Sequence, residues 1–438
     1  MRKTLIATFL TGVVMSSYVQ AADLVQIYQE ALANDSQFAS ARASMNAGQE
    51  KTVQGRAAIL PTAAVTGYVN YADQSANQPI ALSRDFNTNG YTLTLSQPLL
   101  RWANWETYQQ GKLATALSEA QFEQARQDLI LRVAQAYFDV LTSQDALASV
   151  QAQKAAITEQ LAQAKRNFEV GTATITDTHE AQARYDLVVA QEFAATNDLE
   201  IKRNALQQII GKPAGTLARL RPGVQLTAPQ PAFLDSWVGS AEKQNYGVLS
   251  QEFALEIAKR EIKRNRAGHL PTVDLVASRS HNYQNRSLTA DTNNKTNATT
   301  IGVQWAVPLF SGFAVDSRVR ESIALEDKAR NDLETVRRNA AQGARQSFLG
   351  VNSGLAQVKA LEAAEISSKS ALESNRLGYQ VGVRINIDVL NAQQQLFSTQ
   401  RDLAKARYDT VMNGLRLKSA AGSLKEDDLA QVNLLLAQ

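Results

Sequence analysis

Two carboxylates stand out by what surrounds them. Asp177 lies in "VGTATITDTHEAQ" (170–182) and Asp388 in "VGVRINIDVLNAQ" (381–393), each after a Val-Gly pair and ahead of a helical run. A carboxylate so placed can cap a helix, attract a cation, or act as a general acid or base. Catalysis needs partners, and the sequence offers none at a working spacing. The histidines His179, His269 and His281 are scattered, and His179, two residues past Asp177, reads as a solvated helix-start histidine. There is no nucleophile elbow, P-loop or dinucleotide fingerprint. The chain has no cysteine, which excludes disulfides, thiolate metal sites and a lipidated N-terminal cysteine. No enzyme activity, cofactor or required metal is expected. On local chemistry the aspartates are helix caps, and Asp177 with Glu180 fits a capping box.

The two turns belong to a duplication of the whole chain. "RAAILPTAAV" (56–65) answers "RAGHLPTVDL" (266–275), and "SQPLL" (96–100) answers "AVPLF" (306–310). Tyr137 answers Phe348, Gly171 answers Gly382, and Gly211 answers Gly422. Two units follow, roughly 22–232 and 233–438. Each carries a long run almost free of helix breakers, about 102–170 and about 314–377. At ~1.5 Å per residue, such a run reaches on the order of 100 Å as one helix. A shorter helix follows each turn, about 178–210 and 389–421. In the last of these Leu390, Phe397, Ala404 and Val411 recur every seven residues, as do Leu396 and Leu403, the spacing of a coiled-coil seam.

Between helices the period drops to two. Four strands are expected, at about 61–71, 91–98, 272–283 and 300–308. Tyr91, Leu93 and Leu95 alternate with Thr92 and Thr94, and Ile301, Val303 and Trp305 alternate with Gly302 and Gln304. The length and alternation suit transmembrane β-strands with apolar residues outward. The long polar segments 72–90 and 284–300 are expected to be external loops. Four strands cannot close a barrel, so this reading requires an oligomer. Trp305 and Tyr91, and Trp102 and Trp105 nearby, suit either a membrane interface or ordinary packing.

The N-terminus, "MRKTLIATFLTGVVMSSYVQAAD", reads as a secretory signal cut after Ala21: a basic start, a short apolar stretch and small residues at the end. The formal charge of +3 includes Arg2 and Lys3 of that segment. Without them acids and bases nearly balance, so no nucleic-acid partner is implied.

Export signal, duplicated strand-bearing hairpins and paired "VG…D" turns together resemble the TolC family of outer-membrane efflux proteins. The most specific stretches are "VGTATITDTHEAQARYD" (170–186) and "YQVGVRINIDVLNAQQQL" (379–396). The resemblance implies a mainly helical fold with a transmembrane β-barrel. Three protomers would each give four strands to a twelve-stranded barrel and long coiled-coil hairpins to a periplasmic α-barrel. It also implies export of proteins or small molecules, in contact with outer-membrane lipid, a periplasmic adaptor and an inner-membrane transporter. By the same resemblance Asp388 lines the pore constriction, with Asn391 where a second acid is common. Asp177, Tyr379 and Arg384 would close the entrance. Val170, Gly171 and Thr172, with Val381, Gly382 and Val383, would be adaptor-contacting tips, Val383 replacing the usual threonine. The other class the pattern admits is a soluble periplasmic coiled-coil adaptor or scaffold without a pore, which the strands argue against.

Overall fold

The computed structural model describes residues 21–77, 81–288 and 291–437. Residues 1–20, nearly all of the expected signal segment, lie outside these. The order of elements repeats once. Helices α1 (Leu24–Asn34) and α2 (Ser36–Ala57) lead into strands β1 (Thr62–Ala76) and β2 (Leu82–Leu100). Helices α3 (Trp102–Glu169) and α4 (Ile175–Ile210) follow. The second series runs α5 (Leu234–Gln244), α6 (Tyr246–Arg266), β3 (Thr272–Gln284), β4 (Asn294–Ala306), α7 (Ala314–Gln380) and α8 (Asn386–Ala420), and α9 (Glu426–Asn433) comes last.

The strands make one antiparallel sheet in the order β1-β2-β3-β4. Its register sorts residue types by face. Ala63, Leu95, Ala277 and Ile301 form one row, and Val65 pairs with Leu93 in the next row on that face. The opposite face carries rows such as Ala64, Thr94, Ser278 and Thr300. No helix covers the apolar face. Val69 is 82% exposed and Trp305 70%, which a water-soluble sheet would not tolerate across a continuous surface. Lipid is the solvent that suits such a face, with the polar side turned to a lumen. Among the described residues the outer edges of β1 and β4 have no strand partner.

Two segments depart from expectation. Residues 72–90 are largely strand rather than loop, and 284–300 is strand at its two ends: β1 and β2 stay paired to Ala76 and Leu82, and β3 and β4 to Gln284 and Asn294, with 285–288 and 291–293 outside the strands. Towards the outer headgroups and beyond them the faces turn polar or mixed, so the alternation fades from the sequence. The ladder is made by the backbone and continues regardless.

The helix α3 has 68 residues and α7 has 67. Among the described residues no helix is long and apolar enough to cross a membrane. Near the sheet α3 pairs with α2, and farther along with α4; α7 pairs in the same way with α6 and then α8. Gly111, the one glycine in α3, marks a close approach: a Cβ there would stand 2.5 Å from the Lys51 carbonyl oxygen. The Thr52 and Thr115 hydroxyls hydrogen-bond at 2.8 Å across the same contact. The heptad seam expected in α8 is only partly the buried one. Leu390, Leu396, Leu403 and Val411 are buried, but Phe397 and Ala404 are half-buried, and the line of Leu396 and Leu403 extends to Val389 and Thr410. The reason is that α8 packs on both α7 and α3, so it needs two stripes rather than one.

The largest apolar core sits where α1, α3, α4, α8 and α9 meet, with Leu24, Ile27, Leu129, Val133, Leu206, Leu415 and Leu429 buried. Tyr137 is fully enclosed and donates its hydroxyl to the Ala218 carbonyl at 2.6 Å. Burial pushes its phenol above the ordinary range, so it stays neutral. Asp35 caps α2, accepting from Phe38 N at 2.6 Å and from both terminal nitrogens of Arg132 at 2.9 and 3.0 Å. Burial raises this carboxyl, but the hydrogen bonds from Arg132 and Phe38 outweigh it and hold the pKa below 3.8.

Asp35→Ala removes a cap and strands part of the Arg132 charge. Because Arg132 is about a third exposed, the expected loss is about 2–3 kcal/mol, read as a lower thermal midpoint in detergent. The sign of the pH effect follows from a depressed carboxyl: the contribution is full above the unfolded value of 3.8 and vanishes as pH falls through the lower folded value. The wild type and Asp35→Ala should therefore converge in stability at strongly acid pH.

Candidate functional site at the helical tips

Each long hairpin turns by the same device. At the first tip Gly171 N donates to Phe168 O at 3.0 Å and Thr172 N to Asn167 O at 2.8 Å. At the second, Gly382 N donates to Tyr379 O at 3.1 Å and Val383 N to Gly378 O at 2.8 Å. Both are Schellman motifs, which require a left-handed residue just past the helix. The glycines supply it, at φ 78° and 77°, with open space around them. Conformation rather than crowding demands glycine here. The Thr172 hydroxyl donates to Asn167 O at 3.0 Å, a bond Val383 cannot make. Val170, Val381 and Val383 project into solvent, at 73, 65 and 78% exposure. Each tip is thus an apolar knob on a fixed turn.

The helices after the tips start earlier than expected, and the capping box is shifted. Thr174, not Asp177, caps α4, and Asp177 is the third helical residue. Asp177 accepts from Thr174 N at 2.9 Å and from Thr174 Oγ1 at 2.8 Å, and its own N–H donates back to Thr174 Oγ1 at 3.3 Å. Glu180 is one turn too late to take part. Asp388 holds the equivalent place in α8, its N–H donating to Ile385 O at 3.1 Å.

Within one protomer, the three residues expected to close the entrance each hold a partner of their own. Asp177 is engaged by Thr174, as above. Tyr379 accepts at its hydroxyl from Asn167 Nδ2 at 3.2 Å. Arg384 lies 3.7 Å from the Asp388 carboxylate, one turn along the helix. Gly378 makes room for this, since a Cβ there would stand 2.7 Å from Arg384 Cγ. An exposed pair of this kind is worth about 0–1 kcal/mol.

Asn391 lies one turn beyond Asp388 on the same side of α8. Its amide oxygen accepts from Arg184 Nη2 at 3.0 Å, while Arg184 Nη1 reaches Gln394 Oε1 at 2.5 Å. Arg184 comes from α4, so it stitches the first hairpin to the second. A second stitch is buried: Asn386, 0% exposed, accepts from Gln160 Nε2 and donates to the Asp177 carbonyl at 3.4 Å. Neither Arg184 nor Asn386 was singled out by sequence reasoning. A signal existed in the duplication, because Asn386 stands where the first copy has Ile175, and Arg184 where the second has Gln395. Among the described residues no group of three His, Cys, Asp or Glu side chains could hold a metal ion.

A sheet with one lipid-facing side, open at both edges and joined to helical hairpins of on the order of 100 Å, defines an outer-membrane channel fold. The sequence profile of the outer membrane efflux protein family matches residues 27–212 and again 237–423. The chain belongs to that family, within its TolC-like members. It is 35% identical to the outer membrane protein TolC of Vibrio cholerae, over 96% of this chain and 95% of that protein. It is 32% identical to the proteases secretion protein PrtF of Dickeya chrysanthemi, over 94% of this chain and 91% of that protein. The Campylobacter jejuni CmeC outer membrane channel shares the fold, with a TM-score of 0.80 at 18% identity, covering 95% of this chain and 90% of that one.

Asn386→Ala leaves the Gln160 amide buried without its acceptor. That should destabilise the joined tips by about 1–3 kcal/mol. The measurement is limited proteolysis: cleavage at the 170–174 and 381–385 turns should rise by roughly one to two orders of magnitude, with the equatorial core left intact.

Proposed function

We propose that this chain is one protomer of a homotrimeric channel-tunnel in the outer membrane. It is the exit duct of a tripartite type I secretion or efflux system. The observation that carries this reading is the sheet. Its apolar face needs lipid, its polar face needs a lumen, and its unpaired edges need neighbouring copies. Three copies give twelve strands and bring six helical tips to one end. The duct extends across the periplasm because α3 and α7 are each far longer than a globular helix.

At the tips, Asp388 from three protomers forms the constriction, with Asn391 one turn along. The ring is acidic but muted. Arg384 pairs with Asp388 in its own protomer, and Arg184 brings a further cation against Asn391. Cation preference should therefore be weak, and so should block by multivalent cations. Links from Asp177, Tyr379 and Arg384 to neighbouring hairpins hold the resting entrance closed. Each link is weak enough for a partner to exchange it. A periplasmic adaptor docks on the projecting Val170-Gly171-Thr172 and Val381-Gly382-Val383 tips, and an inner-membrane transporter, ATP-driven or proton-driven, supplies cargo. The relatives include a protein named for protease secretion, which makes a protein cargo one outcome to test.

The test is single-channel conductance of the purified protein in a planar bilayer across several salt concentrations. The wild type should give small, weakly cation-preferring openings. Asp388→Ala should abolish that preference, and Arg184→Gln should strengthen it. Replacing Arg384 with Ser and Tyr379 with Phe together should raise conductance. Openings indifferent to all of these would place the constriction elsewhere, and a protein that neither conducts nor fractionates with outer membranes would refute the channel.

A further inference from the structure

The lipid-facing side of the sheet is not uniformly apolar. On β3 and β4 it rises from Val273 and Trp305 through Leu275, Val303, Ala277 and Ile301, then breaks. The next row is Val65, Leu93, Arg279 and Thr299; above it come Gly67, Tyr91, His281 and Asn297, then Val69, Asn89, Tyr283 and Lys295. On β1 the apolar surface continues up to Val69 and Tyr71, both exposed. The result is a polar, basic notch cut into the upper part of the apolar band, floored by β3 and β4 and walled on one side by β1 and β2.

The charges in this notch lack carboxylate partners. Among the described residues Arg279 makes no ion pair. Lys295 lies over the Tyr283 ring at 5.9 Å, and His281 Nδ1 meets Asn297 Oδ1 at 2.6 Å with its ring on Tyr91 at 5.5 Å. The nearby acids are placed otherwise. Asp73 and Asp85 face each other higher on β1 and β2, and Asp291 is held by Arg84 and Arg286 at 3.9 and 3.6 Å. Among the described residues nothing neutralises the notch.

Its height decides what can. The strand ends joined to helices are periplasmic, so the notch belongs to the outer leaflet. Arg279 is six residues past Val273, ~20 Å along the strand and ~15 Å in height at ordinary tilt, in the upper half of a band ~25 Å tall. A cation on a lipid face is costly at the midplane and tolerated near headgroups, towards which a long side chain can snorkel. Arg279 and Lys295 are offset by four residues along neighbouring strands, ~13 Å, too far to share one phosphate.

We infer that this notch binds a doubly phosphorylated glycolipid of the outer leaflet, one phosphate at Arg279 and the other at Lys295. The Arg279 guanidinium takes its phosphate oxygens in a fork, and Lys295 acts as a point charge. The Asn297, Thr299 and Asn89 side chains offer hydrogen bonds to the sugar, and acyl chains lie over Val65, Leu93 and Ile301. By threefold symmetry one trimer holds three such lipids. The inference rests on the membrane-barrel reading of the sheet.

The test is native mass spectrometry of the delipidated full-length trimer, titrated with bisphosphorylated lipid A, monophosphorylated lipid A, or phosphatidylethanolamine. The wild type should take up to three bisphosphorylated molecules, and bind the monophosphorylated form about tenfold more weakly. The double variant Arg279→Gln, Lys295→Gln should lose about tenfold or more in affinity, Arg279→Lys should retain most of it, and Lys51→Gln on α2 should change nothing. Conductance of each variant, measured in parallel, reports an intact barrel. Equal binding by the double variant, or displacement by millimolar inorganic phosphate, would overturn the lipid site while leaving the channel standing. Absence of conductance in the wild type would instead remove the barrel on which the site depends.

Discussion

A backbone in hydrocarbon has no water to hydrogen-bond with, and this sheet has two edges to satisfy. Among the described residues the outer N–H and C=O groups of β1 and β4 find no strand partner. In lipid each would cost several kcal/mol unpaired. Only pairing of β4 with β1 of the next copy removes the problem, and repetition of that pairing closes a ring. Much else in the molecule depends on this closure. It gives the polar strand faces a lumen, aligns the hairpins of each protomer around one axis, and gathers the tips. The thin apolar packing of a single protomer, confined to one equatorial core and short seams along the hairpins, is what an element of such an assembly requires.

The helical part meets a different constraint. A pair of helices on the order of 100 Å long has no compact core, so its register must be held locally. The chain does this with close approaches and polar stitches. Gly111 lets α2 and α3 touch at the backbone, and Gly354 admits the Thr410 side chain between α7 and α8. Towards the tips apolar contact shrinks and polar contact takes over, through Asn386, Gln160 and Arg184. Polar contacts of this type are individually modest and exchangeable in water. They suit the entrance proposed for this end, where a docking partner would exchange them.

Electrostatics at the tips follow from the same local geometry. Asp388 is drawn towards Arg384 because the Schellman turn places Arg384 at the start of the helix that Asp388 continues. The acid also sits in the first turn of α8, at the positive end of the helix dipole. Asn391 is held by Arg184, so this part of α8 is tied to the first hairpin.

Much of this was legible in the sequence, where the signal was periodic or repeated. The duplication, the long helices and the existence of four alternating strands are written in residue types, because a helix face and a strand face sort apolar residues by fixed periods. The turn glycines were legible because left-handed backbone has a strong residue preference. Strand ends at and above the outer headgroups were not, since Asp73 to Ala76 and Leu82 to Asn89 carry no alternation while the backbone ladder runs on. The true cap, Thr174, was hidden behind the more conspicuous Asp177, and α8 buries two lines rather than one seam because two neighbours share it. The pairings of Arg184 with Asn391 and of Asn386 with Gln160 span more than two hundred residues. No local pattern encodes them. They exist because the two hairpins lie side by side, and that juxtaposition is a property of the folded chain alone.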